Sequence, residues 1–177
     1  MFLLCGIVDA MPEICITPLY PELAEEHRRL QRQMILTDPT LNSTLANELT
    51  SRLDGINPAR LIAGAHHYIA NVDNNITGGV TLRPGVENAL ISGLFVEEPY
   101  RRRGIASALM SHVLEVATQT GQRQATLWVA DHNQVAYSWY LRLGFGSTEP
   151  PTLRLSSLGQ DGFDELLVKP LGETPDA

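Results

Sequence analysis

The chain has 177 residues and a mass of 19.5 kDa, room for one domain with short tails but not for two full ones. With 44% hydrophobic and 19% charged residues it can build a core, and no apolar run approaches the ~20 residues of a membrane-spanning helix. A formal charge of -7 disfavours non-specific nucleic-acid binding and suits a cationic small molecule or peptide; Cys5 and Cys15 are too few for a disulfide framework, and no Cys/His grouping has zinc spacing.

Residues 1–11 begin apolar, but no basic stretch precedes them and no small-residue cleavage site follows. They read as a tail or a docked strand, Met11 offers a second start, and the expected location is the cytoplasm. A single domain is expected over residues 12–170, with a tail over 171–177.

Residues 14–19 are a short β-branched stretch closed by Pro18 and Pro21, a first strand. Pro21 then opens a helix whose Leu23, His27, Leu30 and Met34 recur at near-helical spacing, with Glu25, Glu26, Arg28, Arg29 and Arg32 on the other side. Asn42 or Ser43 can cap a second helix through Leu45, Leu49 and Leu53, stopping at Gly55. The period then changes. Residues 60–70, 76–83 and 88–97 are three β-like runs separated by the turn signals of residues 71–75 and Pro84-Gly85, an antiparallel meander.

Ile105, Leu109, Val113, Leu114 and Ala117 form an apolar stripe on a helix ending near Gly121. Residues 124–130 read as a strand, and residues 133–143 as a helix with Gly144 just past its end. Residues 152–158 and 163–169 read as two closing strands around a turn at 159–162.

Two segments carry chemistry. In the first, Leu94, Phe95 and Val96 end a strand, Glu97, Glu98, Pro99 and Tyr100 turn the chain, and Arg101, Arg102, Arg103, Gly104, Ile105, Ala106 and Ser107 start a helix. A first helical turn has free N–H groups and the positive end of the macrodipole; Gly104 lets a ligand approach the backbone, and a pyrophosphate is the natural occupant. The segment lacks the G-x-x-x-x-G-K-[ST] of a P-loop and the G-x-G-x-x-G of a dinucleotide fold. In the second, Asn133, Ala136, Tyr137 and Tyr140 share one helical face and offer an amide, a gap and phenols to one ligand. Tyr137 and Trp139 read as helix-packing aromatics, with Tyr137 also able to face a ligand.

Together the segments resemble the GNAT superfamily of acetyl-CoA-dependent N-acetyltransferases. Arg101, Gly104 and Ala106 match its [Q/R]-x-x-G-x-[G/A] signature, and Asn133, Ala136, Tyr140, Gly144 and Phe145 match its N-x-x-A-x-x-x-Y-x-x-x-G-F helix. The resemblance implies an α/β (α+β) fold: a mixed, mostly antiparallel twisted sheet of about seven strands, splayed in the middle, with helices on both faces. It implies acetyl-CoA as acetyl donor, with no metal. Leu94, Phe95 and Val96 match the splayed strand that pairs with the pantetheine arm. Arg102, Arg103, Gly104, Ile105, Ala106 and Ser107 match the pyrophosphate turn, Asn133 the polar contact to the arm, and Tyr140 the general acid for the departing thiolate.

An alkylamine with a pKa near ~10.4 must lose a proton before it attacks a thioester. Candidate bases are Glu97, Glu98, His66, His67, Asp131 and His132, and no motif chooses among them. The activity implied is transfer of an acetyl group to a primary amine of a small molecule or peptide by direct attack in a ternary complex, since neither motif calls for a nucleophilic Cys or Ser. The alternative is a non-catalytic acyl-CoA sensor on the same fold. The partner expected is the amine, with no nucleic acid and no membrane; assembly as a homodimer is left open.

Overall fold

The computed structural model describes residues 13–37, 43–55, 65–129, 133–148 and 165–172. Proline and glycine punctuate the elements much as their backbone chemistry requires. β1 (Cys15–Pro18) runs into a 3-10 turn that begins on Pro21 and hands over to α1 (Ala24–Thr37), which buries Ala24, His27 and Leu30. α2 (Ser43–Asp54) follows, and Gly55 closes it with a hydrogen bond to the Ser51 carbonyl. Next comes the meander of β2 (His66–Val72), β3 (Asn75–Arg83) and β4 (Asn88–Val96). Asp73 and Asn74 turn β2 into β3 with φ of 50° and 62°, the left-handed pair that a two-residue hairpin demands. α3 (Ile105–Gln119), β5 (Gln124–Val129), α4 (Gln134–Arg142), β6 (Gly146–Ser147) and β7 (Glu165–Pro170) complete the described chain.

The strands form one seven-stranded sheet in the order β1-β2-β3-β4-β5-β7-β6, antiparallel throughout except where β4 meets β5. Successive residues of a strand face opposite sides, and β3 shows what lies on each. A side chain grafted at Gly78 would meet Leu109 and Ile105 of α3, whereas one at Gly79 would meet His27 of α1. Helices therefore cover both faces, and the two glycines let both come close. The α3 face holds the main core, with Val80, Leu82, Ile91, Leu109, Met110, Val113, Leu127 and Leu167 among its buried side chains.

β4 and β5 pair only over Asn88↔Gln124, Ala89↔Ala125 and Leu90↔Thr126, then part. The cause sits in β4. Between Gly79↔Phe95 and Thr81↔Ser92 the register slips by one residue, with Gly93 at φ 61° in the extra position. Such a bulge bends its strand, and glycine accepts the left-handed backbone at little cost.

The strand expected over 60–70 is described from His66 onward; residues 56–64 lie outside the described residues, as does the strand expected over 152–158. β6, not expected, occupies Gly146–Ser147, where it pairs with Val168 and Leu167 of β7. Among the described residues no helix is long and apolar enough to cross a membrane.

On the α1 face His27 is fully buried between Gly79, Phe95 and His67, and neither ring nitrogen has a hydrogen-bond partner among the described residues. Burial, reinforced by the charge of His67, pushes its pKa down from 6.5 to about 4. Because the folded value is the depressed one, His27 contributes its full stability above pH ~6.5 and loses it as the pH falls through ~4. The shift corresponds to roughly 3 kcal/mol between those limits. Urea midpoints at pH 7.5 and 4.5 should therefore fall less in His27→Leu than in the parent; equal falls would show that His27 is not the group titrating.

Candidate active site

Where β4 leaves β5, a cleft of about 480 Å³ opens between the end of β4, the start of α3 and one face of α4. Leu94, Phe95 and Val96 form its β4 wall. Past Leu90 the β5-facing backbone of β4 has no strand partner among the described residues, so an extended ligand can take up those hydrogen bonds as an added strand would.

The second wall is the helix start. Gly104 is the N-cap of α3 at φ 83° and ψ -3°, with no side chain capping it, and the first intrahelical bond runs from the Ala108 amide to the Gly104 carbonyl. The amides of Ile105, Ala106 and Ser107 thus have no helical acceptor, and all three residues line the cleft. A Cβ on Gly104 would meet no protein atom within 4 Å. Arg102 precedes it at φ 64°, a left-handed backbone for a non-glycine residue. Orphan donors, the positive end of a 15-residue helix and open space above the glycine fit a diphosphate.

α4 supplies the third wall. Asn133 caps it, its Oδ1 accepting from the Ala136 amide at 3.2 Å, which leaves the Nδ2 donors for a ligand. Asn133, Ala136 and Tyr140 line the cleft as their spacing required. The Tyr140 ring packs 5.1 Å from Trp139 and 5.9 Å from Phe145, and its hydroxyl has no hydrogen-bond partner among the described residues. Burial pushes its pKa up to about 12, so the phenol stays protonated over the whole working range.

The cleft gathers every residue expected of a cofactor site except Arg103, whose guanidinium instead lies 5.4 Å from the centre of the Tyr100 ring. Tyr137 does not line it either: its hydroxyl donates to Glu165 Oε1 of β7 at 3.2 Å. Arg101 of the signature lines it too, and Tyr100, Val135 and Trp139 line it unexpectedly. For Trp139 the signal was available, since it stands three residues after Ala136 on the helix.

A smaller pocket of about 210 Å³ lies on the other side of the β4 end, between α1 and the 3-10 turn Glu98–Tyr100. It shares Phe95, Val96 and Arg101 with the cleft and adds Glu97 and Glu98. Of the candidate bases, these two glutamates reach it. His66 is exposed at the start of β2, and His67 is buried beside Thr81, 2.9 Å from its hydroxyl, lining neither pocket. Asp131 and His132 lie outside the described residues.

A sequence model of the acetyltransferase (GNAT) family matches residues 23–145. Over 92 residues, 52% of this chain, the sequence is 33% identical to an uncharacterized N-acetyltransferase of Methanocaldococcus jannaschii, and the match spans 36% of that protein. Among solved structures, the PaiA N-acetyltransferase of Thermoplasma acidophilum in complex with coenzyme A superposes with a TM-score of 0.68 at 17% identity, covering 89% of this chain and 99% of that one. The ribosomal-protein-S18-alanine N-acetyltransferase of Escherichia coli gives 0.66 at 15% identity, over 93% and 97%. At those identities the two structures are alike in fold.

Proposed function

We propose a reaction from one premise: the chain belongs to the acetyltransferase (GNAT) family. The reaction is transfer of an acetyl group from acetyl-CoA to a primary amine of a small molecule or peptide by direct attack in a ternary complex. The observation that carries it is the joining of two compartments by one strand end. Phe95 and Val96 wall both the cleft, with its anion-binding helix start and its protonated phenol, and the smaller pocket, with its carboxylates.

Bound acetyl-CoA would supply an activated thioester and a leaving thiolate whose thiol has a pKa near ~8.5. The amides of Ile105, Ala106 and Ser107 would hold the diphosphate, and the β4 edge beyond Leu90, without a strand partner among the described residues, would align the arm. Glu97, half-buried in the residue after β4, would take the amine proton, directly or through one water. Its backbone amide donates to the Thr77 carbonyl at 2.8 Å, which fixes the residue against β3. Tyr140 would donate a hydrogen bond to the departing sulfur. The complex of the T. acidophilum neighbour with coenzyme A supports the choice of cofactor.

The reading is tested by a single turnover of labelled acetyl-CoA against a panel of amines. Label should move to an amine with release of free thiol. Tight binding of acetyl-CoA with no transfer to any amine would favour a sensor on the same fold.

A further inference from the structure

We infer that the acceptor is an α-amine, the amino group of an amino acid or of a peptide N-terminus with a carbonyl carbon one atom away. The inference rests on the transferase reading above and concerns the smaller pocket, which meets the cleft at Phe95, Val96 and Arg101.

The charge layout of that pocket is the first argument. Glu97 and Glu98 stand at the start of the 3-10 turn and Arg101 at its end, and all line the pocket. Among the described residues no ion pair joins Arg101 to either glutamate, although Arg28, Arg29, Arg32, Arg52 and Arg123 each pair with a carboxylate. Arg101 is nonetheless tethered. Its Nε donates to the Val96 carbonyl at 3.0 Å, which holds the guanidinium at the end of β4 while its terminal nitrogens have no partner among the described residues. Arg29 also bears on Glu97 electrostatically, but its own guanidinium is bonded to Glu26. A carboxylate end and a separate guanidinium end in one small space match a ligand with an amine at one end and a carbonyl or carboxylate oxygen beside it. An alkylamine would engage the carboxylate end alone and leave the exposed guanidinium donors to water.

The second argument is proton affinity. A carboxylate is a weak base towards an alkylammonium near ~10.4, whereas the α-ammonium of a peptide N-terminus near ~7.7–8.0 is already free a few hundredfold more often at neutral pH. The bases that reach the pocket among the described residues are carboxylates, so an α-amine whose carboxylate is tied up in a peptide bond is the acceptor they deprotonate more readily, and a free amino acid rests on the charge layout alone. Leu30 and Met34 of α1, with Phe95, give an apolar wall for the side chain of the acceptor's first residue.

The test uses the full chain. Calorimetry with CoA runs beside initial rates for alanine, alaninamide, an alanine-initiated tripeptide, butylamine and Nα-acetyl-lysinamide, each kcat/KM expressed per free base. At least one α-amine should exceed both alkyl-type amines by about tenfold, and the three α-amines separate a free amino acid from a peptide terminus. Arg101→Gln, which keeps the other residue the cofactor signature accepts, should raise KM about tenfold more for the preferred α-amine than for butylamine. The CoA affinity of the same variant is measured by calorimetry, so that any effect on the cofactor, common to both acceptors, is divided out. Butylamine or the lysine ε-amine matching the α-amines would overturn the inference, as would an Arg101→Gln effect equal on both classes. Transfer to none of the α-amines by a protein that binds CoA would overturn it too. Failure to bind CoA would instead remove the transferase reading beneath it.

Discussion

Replacing Tyr140 with phenylalanine should lower kcat about 10²-fold while the affinity for acetyl-CoA stays within about threefold. The size follows from the pKa. A phenol pushed up to about 12 is a reliable hydrogen-bond donor but a reluctant acid towards a thiolate whose thiol sits near ~8.5 in water. The apolar walls that raise Tyr140 would also desolvate a thiolate leaving beside it and raise its proton affinity, which would narrow the gap without closing it. In the proposed reaction Tyr140 would therefore stabilise charge growing on sulfur more than deliver a complete proton, and the expected effect belongs at the low end of the ~10²–10⁴-fold range for a positioned acid. Two further readings separate this from a packing role. Because the hydroxyl has no partner among the described residues, its loss should leave the melting temperature nearly unchanged. Because the phenol titrates so high, kcat of the parent should show no descending limb from Tyr140 below pH ~10. Full turnover with a lowered melting temperature would take Tyr140 out of the mechanism.

Much of this site could be read from residue order, and the parts that could not share a cause. Periodicity reports which residues share a face, so Asn133, Ala136 and Tyr140 and the stripe from Ile105 to Ala117 were legible without coordinates. Periodicity says nothing about which neighbour a face will meet. Arg101, Arg102 and Arg103 are indistinguishable as a run of cations; only the bonds of the folded turn send Arg101 to the Val96 carbonyl and Arg103 to the Tyr100 ring. His27 sits on the buried stripe of α1 as its spacing requires, but its contact with Gly79 and His67 depends on how α1 lies across β3 and β2. β6 has two residues, too short for any alternation, and exists because β7 offers Val168 and Leu167 as partners. The Gly93 bulge had a local signal, a glycine inside a β-like run, whose meaning appears only against the register of β3.

Gly104→Glu should weaken CoA binding by about 10²-fold or more, close to 3 kcal/mol at ~1.4 kcal/mol per tenfold. Three effects act together, and the structure separates them. At φ 83° any side chain strains the backbone, an effect worth about 1 kcal/mol that Gly104→Ala isolates, since its methyl would meet no protein atom within 4 Å. That same open space is the path by which a diphosphate would reach the amides of Ile105, Ala106 and Ser107, and a longer side chain occupies it. Finally, a carboxylate at the helix start satisfies the dipole that would otherwise attract the phosphates, and it repels them. The charge contribution weakens with salt, whereas the steric one does not. Calorimetry should therefore place Gly104→Ala within about tenfold of the parent and Gly104→Glu far below it, with Gly104→Gln between them at low salt and approaching Gly104→Glu at high salt. Parent-like CoA affinity in folded Gly104→Glu would move the diphosphate site away from the start of α3.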